Sequence, residues 1–182
     1  MAYLHIYTGD GKGKTTCAVG LAVRALGAGM RVAFLQFDKG FEGNNEHYHE
    51  RFILRQQPNL DLFFFGLERM MPDGKFRFAN SDGDFEQARN GLRKAGELIR
   101  DENYQMVICD EAITCVGTRL YAESDLMALV GEFKASPRCE LILTGRGAFP
   151  ELLAAADLVT EMKLIKHYWY DHKLSARAGI DF

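Results

Sequence analysis

The run Thr8-Gly9-Asp10-Gly11-Lys12-Gly13-Lys14-Thr15-Thr16 concentrates the residue types that grip phosphate. Glycines let a backbone curl until successive N–H groups face inward and form an anion-binding nest. A helix opening directly after them adds the positive end of its dipole. In that frame Lys14 reaches the outer phosphates, and the Thr15 hydroxyl is placed to ligate Mg2+. The match to the pattern GxxxxGK[ST] is loose at its start, where Thr8 takes the first glycine position and Gly9 follows one residue late. A glycine turn that merely links a strand to a helix explains neither the Gly13-Lys14-Thr15 triplet nor its setting.

A second cluster closes the run Met106-Val107-Ile108-Cys109-Asp110-Glu111. Alone, an apolar strand ending in two acids is a strand end with solvated carboxylates. Beside a phosphate loop, Asp110 and Glu111 become candidates for holding Mg2+ directly or through water. Other reactive types carry less. His47 and His49 are two residues apart, share no helix face and read as surface histidines. Glu46 is a further candidate site residue. Cys17, Cys109, Cys115 and Cys139 show no CxxC pair or metal spacing and read as reduced packing residues.

Positioning these groups falls to alternating elements. Short β-branched and aromatic runs at Tyr3–Tyr7, Val32–Phe37, Leu60–Phe65, Met106–Cys109, Glu140–Thr144 and Leu158–Thr160 read as strands. Between them Ala18, Leu21, Ala22, Ala25 and Leu26 repeat at helical spacing until Gly27 and Gly29. Phe85, Ala88, Leu92, Ala95 and Ile99 do the same after an N-cap at Ser81 or Asp82. Leu126, Leu129, Val130 and Phe133 form a third stripe, and Pro150 opens a short fourth helix at N1. Alternation of this kind predicts an α/β fold, a mainly parallel sheet with helices on both faces. Phe63–Phe65 reads as buried central strand for at least two of its three rings. Asp38–Asn45 and Gly66–Asn80 show no periodicity and read as functional loops, the second with exposed Met70 and Met71.

The chain has 182 residues, 22 Lys+Arg against 25 Asp+Glu, 47% hydrophobic and 26% charged. A chain of this length buries about 70% of its unfolded surface and suits one domain over 1–182. Its composition excludes disorder and fibrous repeats. No apolar stretch approaches the roughly 20 residues that span a bilayer, and Met1–Tyr7 carries no basic leader-type region. The expectation is a cytoplasmic protein, off membranes, and with net charge -3 no nonspecific binder of nucleic acid.

Beyond nucleotide binding, the sequence resembles the ATP:corrinoid adenosyltransferases. The resemblance rests on the phosphate loop with Tyr7, on Arg24, on Gln36-Phe37-Asp38-Lys39-Gly40 and on Asp110-Glu111. It continues through Leu143-Thr144-Gly145-Arg146-Gly147, Ala156–Met162, Lys166-His167 and Ala178-Gly179-Ile180-Asp181-Phe182. It implies a three-layer RecA-like P-loop fold, a homodimer and an electron-donating flavoprotein reductase as partner. The implied reaction moves the 5′-deoxyadenosyl group of ATP to the Co(I) of a reduced corrinoid and releases tripolyphosphate. It further implies nucleotide contacts from Thr8–Thr16, Arg24 and Arg146, and metal ligands at Thr15 and Glu111 with Asp110 behind them. Lys14, Thr15 and Glu111 become the catalytic set. Relatives carry an aromatic pair with Trp after the third strand; here Phe65, Leu67 and Met70 are the candidates for an apolar wall against the corrinoid. Lys163–Arg177 reads equally as a functional segment, covering corrinoid amides or phosphates or forming a dimer contact, and as a solvated tail docking by Trp169.

Three other readings stay open: a P-loop phosphotransferase or ATPase, a nucleotide-gated corrinoid carrier without turnover, and a RecA-type DNA motor, the last disfavoured by length and charge. A phosphate loop by itself does not name the chemistry.

Overall fold

The structure, a computed structural model, describes residues 2–40, 46–71 and 75–181. Parts of both expected loops (41–45 and 72–74), together with Met1 and Phe182, lie outside the described residues. Six strands form one sheet: β1 (Leu4–Thr8), β2 (Val32–Phe37), β3 (Leu60–Phe65), β4 (Met106–Asp110), β5 (Glu140–Thr144) and β6 (Leu158–Glu161). Their order is β3-β2-β4-β5-β1-β6, and every pairing is parallel. All carboxyl ends therefore reach the same edge, where ligands of open parallel sheets bind.

Period-2 alternation sorts side chains between two faces. Leu4, Ile6, Leu35, Phe37, Val107, Cys109, Leu141 and Leu143 pack on one face with α3 (Asp82–Arg100), α4 (Ala112–Gly117), α5 (Glu123–Ala135) and α6 (Pro150–Ala155). Tyr7, Val32, Phe34, Met106, Ile108 and Ile142 pack on the other with α1 (Lys14–Gly27) and α2 (Glu50–Leu54). These are the expected three layers. Ser81 caps α3 as anticipated, its hydroxyl accepting from the Asp84 N–H while Asp84 accepts from the Ser81 N–H. Pro150 opens α6.

One expectation needs correction. β3 is an edge strand, not a central one, and none of its three phenylalanines is buried; Phe64 is 44% exposed. The same apolar run satisfies an edge because the guanidinium groups of Arg51 and Arg55 stack over the Phe64 ring at 4.8 and 5.7 Å. Within the described residues of Gly66–Asn80, read as a loop, Met70 bridges Phe76 antiparallel, and the Arg77 N–H donates to the Arg69 carbonyl at 2.7 Å. Two arginines tie it down, Arg69 on Asp38 and Arg77 on Asp84.

Candidate nucleotide site

The phosphate loop follows β1 and α1 begins at Lys14. Gly13 has φ 120°, a region that an L side chain rarely adopts, and this turn aims the first amides of α1 inward. Lys14 is buried and curls back, its Nζ donating to the carbonyls of Gly9 (2.7 Å) and Gly11 (2.9 Å). Burial pushes its ammonium below the usual lysine range, against the pull of Glu111. Thr8 is buried at the strand end; Asp10 and Thr16 are exposed. The Gly11 N–H donates to the Met162 carbonyl at 2.7 Å, so the chain leaving β6 supports the loop from below.

β5 separates β1 from β4, yet the Thr15 hydroxyl lies 3.2 Å from Asp110 Oδ2. Asp110 is fully buried, and its Oδ1 accepts from the Thr144 hydroxyl at 2.7 Å. Glu111 follows in the left-handed region at φ 63°, which turns its carboxylate out of the strand line and into the cavity. Its N–H donates to Thr144 Oγ1, its carboxylate accepts from Thr114, and Thr114 Oγ1 accepts from the Arg146 N–H. One hydroxyl relay thus ties both acids to the Gly145–Gly147 turn.

These groups line one side of a cavity of about 720 Å³. Lys12, Lys14, Thr15, Lys39, Glu111 and Arg146 border it together, with Tyr48, His49 and Glu50 on another wall. The C-terminal segment closes over it through His167, Tyr168 and Trp169 at α7 (Tyr168–His172) and through Gly179–Asp181. There Lys12 donates to the Ile180 carbonyl at 2.6 Å and pairs with Asp181 at 3.3 Å, while Asp181 also accepts from Tyr168 and Arg177.

Sequence reasoning missed Lys39. Its Nζ sits 2.6 Å from Asp110 Oδ2 and 3.1 Å from Thr15 Oγ1. Burial works against that charge, but Asp110 and Glu111 outweigh it and hold the ammonium above its ordinary pKa. The ammonium rests where the hydroxyl and carboxylate of this donor set converge, so this point of the site attracts a cation. No three His, Cys, Asp or Glu side chains cluster for a metal among the described residues. The set instead suits Mg2+, which takes one or two carboxylates and fills its shell with phosphate and water.

The sequence profile of the ATP:corrinoid adenosyltransferases (BtuR/CobO/CobP) matches residues 1–182. The chain belongs to that family. Among relatives named corrinoid adenosyltransferase, that of Pseudomonas aeruginosa is 32% identical over 98% of this chain and 83% of its own. That of Escherichia coli K12 is 33% identical over 97% and 84%. The flagellar accessory protein FlaH of Methanocaldococcus jannaschii superposes with a TM-score of 0.57 over 87% of this chain and 70% of its own. At 16% identity that likeness supports the P-loop NTPase-like fold alone.

For a corrinoid adenosyltransferase the placement of the other expected residues is informative. Arg146 borders the cavity. Arg24 does not: it is exposed in the last turn of α1, ten residues and about 15 Å of helix beyond Lys14. Phe65, Leu67 and Met70 lie outside the cavity lining; Phe65 packs its ring on Phe37 at 6.1 Å, Leu67 is half-buried and Met70 is 47% exposed. Glu46 is buried, bound by Arg51 and Arg55 rather than facing the cavity. His49, expected as a surface residue, lines the cavity. Tyr48 and Arg51 gave no motif to find; the readable signal was Lys39, two residues past a strand whose carboxyl end neighbours β4.

Proposed function

We propose that this chain transfers the 5′-deoxyadenosyl group of ATP to the Co(I) centre of a reduced corrinoid and releases tripolyphosphate. The observation that carries this reading, beside family membership, is that Lys12, Lys14, Lys39 and Arg146 all border one cavity. Cations gathered there suit a triphosphate held as a leaving group.

In this reaction the cobalt electron pair attacks the ribose C5′ and forms the cobalt–carbon bond. The C5′–O bond breaks with its electrons on tripolyphosphate, and cobalt rises from Co(I) to Co(III). Because Co(I) is itself a strong nucleophile, no side chain need serve as base or form a covalent intermediate. The chain's task is to align C5′ and to neutralise charge growing on the leaving oxygen. The amides of the Gly9–Thr15 loop and the ammonium of Lys14 do the second. Lys14 must exchange the carbonyls of Gly9 and Gly11 for phosphate oxygens, and its buried ammonium gains more from a charged oxygen than from a neutral one. Arg146, its backbone N–H anchored on Thr114, adds an exposed guanidinium at the cavity border. Mg2+, held by Thr15 and Glu111 with Asp110 behind them, would supply further positive charge against the same leaving group. Phe65, Leu67 and Met70, beyond the cavity on the β3 side, serve as the apolar wall for the corrinoid.

We assign the activity to one domain over 1–182, cytoplasmic, working as a homodimer with a flavoprotein reductase to supply Co(I). No helix among the described residues is long and apolar enough to cross a membrane. The test is an anaerobic incubation with chemically reduced cob(I)alamin, ATP and Mg2+. Tripolyphosphate together with a light-sensitive alkylcobalamin spectrum is expected. ADP or orthophosphate in their place points to a phosphotransferase or ATPase; bound corrinoid without any product points to a carrier.

A further inference from the structure

We infer that Lys39 is a built-in occupant of the metal position, holding Asp110 and Thr15 in the nucleotide-free chain and displaced when a divalent cation arrives with nucleotide. This rests on the nucleotide-site reading above. Asp110 is fully buried, and a buried carboxylate left without a counter-charge is costly. Its Oδ1 is committed to Thr144, so only Oδ2 faces the site. Lys39 Nζ takes that oxygen at 2.6 Å and the Thr15 hydroxyl at 3.1 Å. A divalent ion held by Thr15 and Glu111 with Asp110 Oδ2 behind it would meet the Lys39 ammonium on the Thr15 and Asp110 oxygens, and two cations repel each other at contact.

The surroundings fix the lysine backbone and leave its side chain as the part that moves. The Lys39 carbonyl accepts from Arg51 Nη2 at 2.6 Å. Arg51 is fully buried, donates to Gln36 at 2.5 Å and to Glu46 at 3.1 Å, and lies 4.5 Å from the Tyr48 ring centroid. Gly40 presses on the backbone of Leu67 so closely that a Cβ there would fall 2.1 Å from its carbonyl carbon. The side chain, by contrast, borders the cavity, with the Tyr48 ring 5.4 Å from its ammonium. A displaced Lys39 therefore keeps its charge within the wall that faces nucleotide.

Calorimetry of ATP binding, with EDTA and with excess Mg2+, tests this without turnover. In Lys39→Met the ratio of the two dissociation constants should grow at least about tenfold over wild type. Metal-free ATP loses a cation there, and Mg2+ no longer has a competitor. An unchanged ratio overturns the proposal. Wild-type protein that binds no ATP in either condition contradicts the nucleotide site itself, a separate failure. Should Lys39→Met not fold, the wild-type chain labelled with [15N]lysine serves. The Lys39 Nζ resonance, assigned against Lys39→Arg, should shift on adding Mg2+ and ATP but stay near its free position with ATP and EDTA. The same shift in both would overturn the proposal.

Discussion

The phosphate loop and the described residues that lead from Lys39 to Asn80 are held by opposite means. On the first, Lys14 bonds to carbonyls three and five residues away, and the shape comes from backbone turns. On the second, side chains reach far along the chain. Arg51 spans 15 residues to Gln36, Arg69 spans 31 to Asp38, and Asn80 spans 38 to the Thr118 carbonyl. The first construction is a local motif that can be damaged chemically without unfolding. The second is a buried polar network in which function and stability fall together.

Lys14→Ala should break the first side most severely, lowering adenosyl transfer by about 1,000-fold while circular dichroism and thermal midpoint stay near wild type. A large loss of stability would erase the contrast. Glu111→Gln comes next, with turnover about 100-fold lower at limiting Mg2+ and a stability change under about 1 kcal/mol. Arg51→Met should invert the pattern: stability falls by about 3 kcal/mol, because Glu46 loses its buried partner. Its rate loss should be smaller than that of Lys14→Ala in any protein that remains folded. Denaturant unfolding and single-turnover rates on the same preparations compare the three.

The smallest effect sharpens the second side through pH. Burial opposes the charge of Asp84, yet Arg77 and Ser81 hold its carboxyl well below the usual carboxylate range. Its stabilisation is therefore complete above the ordinary value of about 4 and is lost as pH falls below it. Asp84→Asn should cost about 1–2 kcal/mol at pH 7, with the gap to wild type closing toward pH 2. A gap independent of pH would remove the charge from the explanation.

The same contrast explains what could be read from the residues alone. All six strands were legible as short runs rich in apolar, β-branched and aromatic residues, the inner four because they are buried, and their limits shifted by a residue at most at either end. The phosphate loop and Asp110-Glu111 were legible because their chemistry is contiguous. α2, α4 and α7, each of five or six residues, are too short to show a helical period. Phe63–Phe65 misled because cations from α2 can cover an edge strand as well as a neighbouring strand can. Arg51 in the interior comes from pairings that no spacing in the sequence announces, and Lys39 was signalled only by its place two residues past β2. Arg24 was carried by motif alone, and the helix length sets it apart from the cavity.

The most direct measurement uses ATP labelled with 13C at the ribose C5′, mixed anaerobically with chemically reduced cob(I)alamin and Mg2+. Adenosyl transfer predicts a 13C resonance of carbon bonded to cobalt, lost on exposure to light, with an equal amount of tripolyphosphate. Label that stays in ADP or unreacted ATP, with no cobalt–carbon signal, would contradict it.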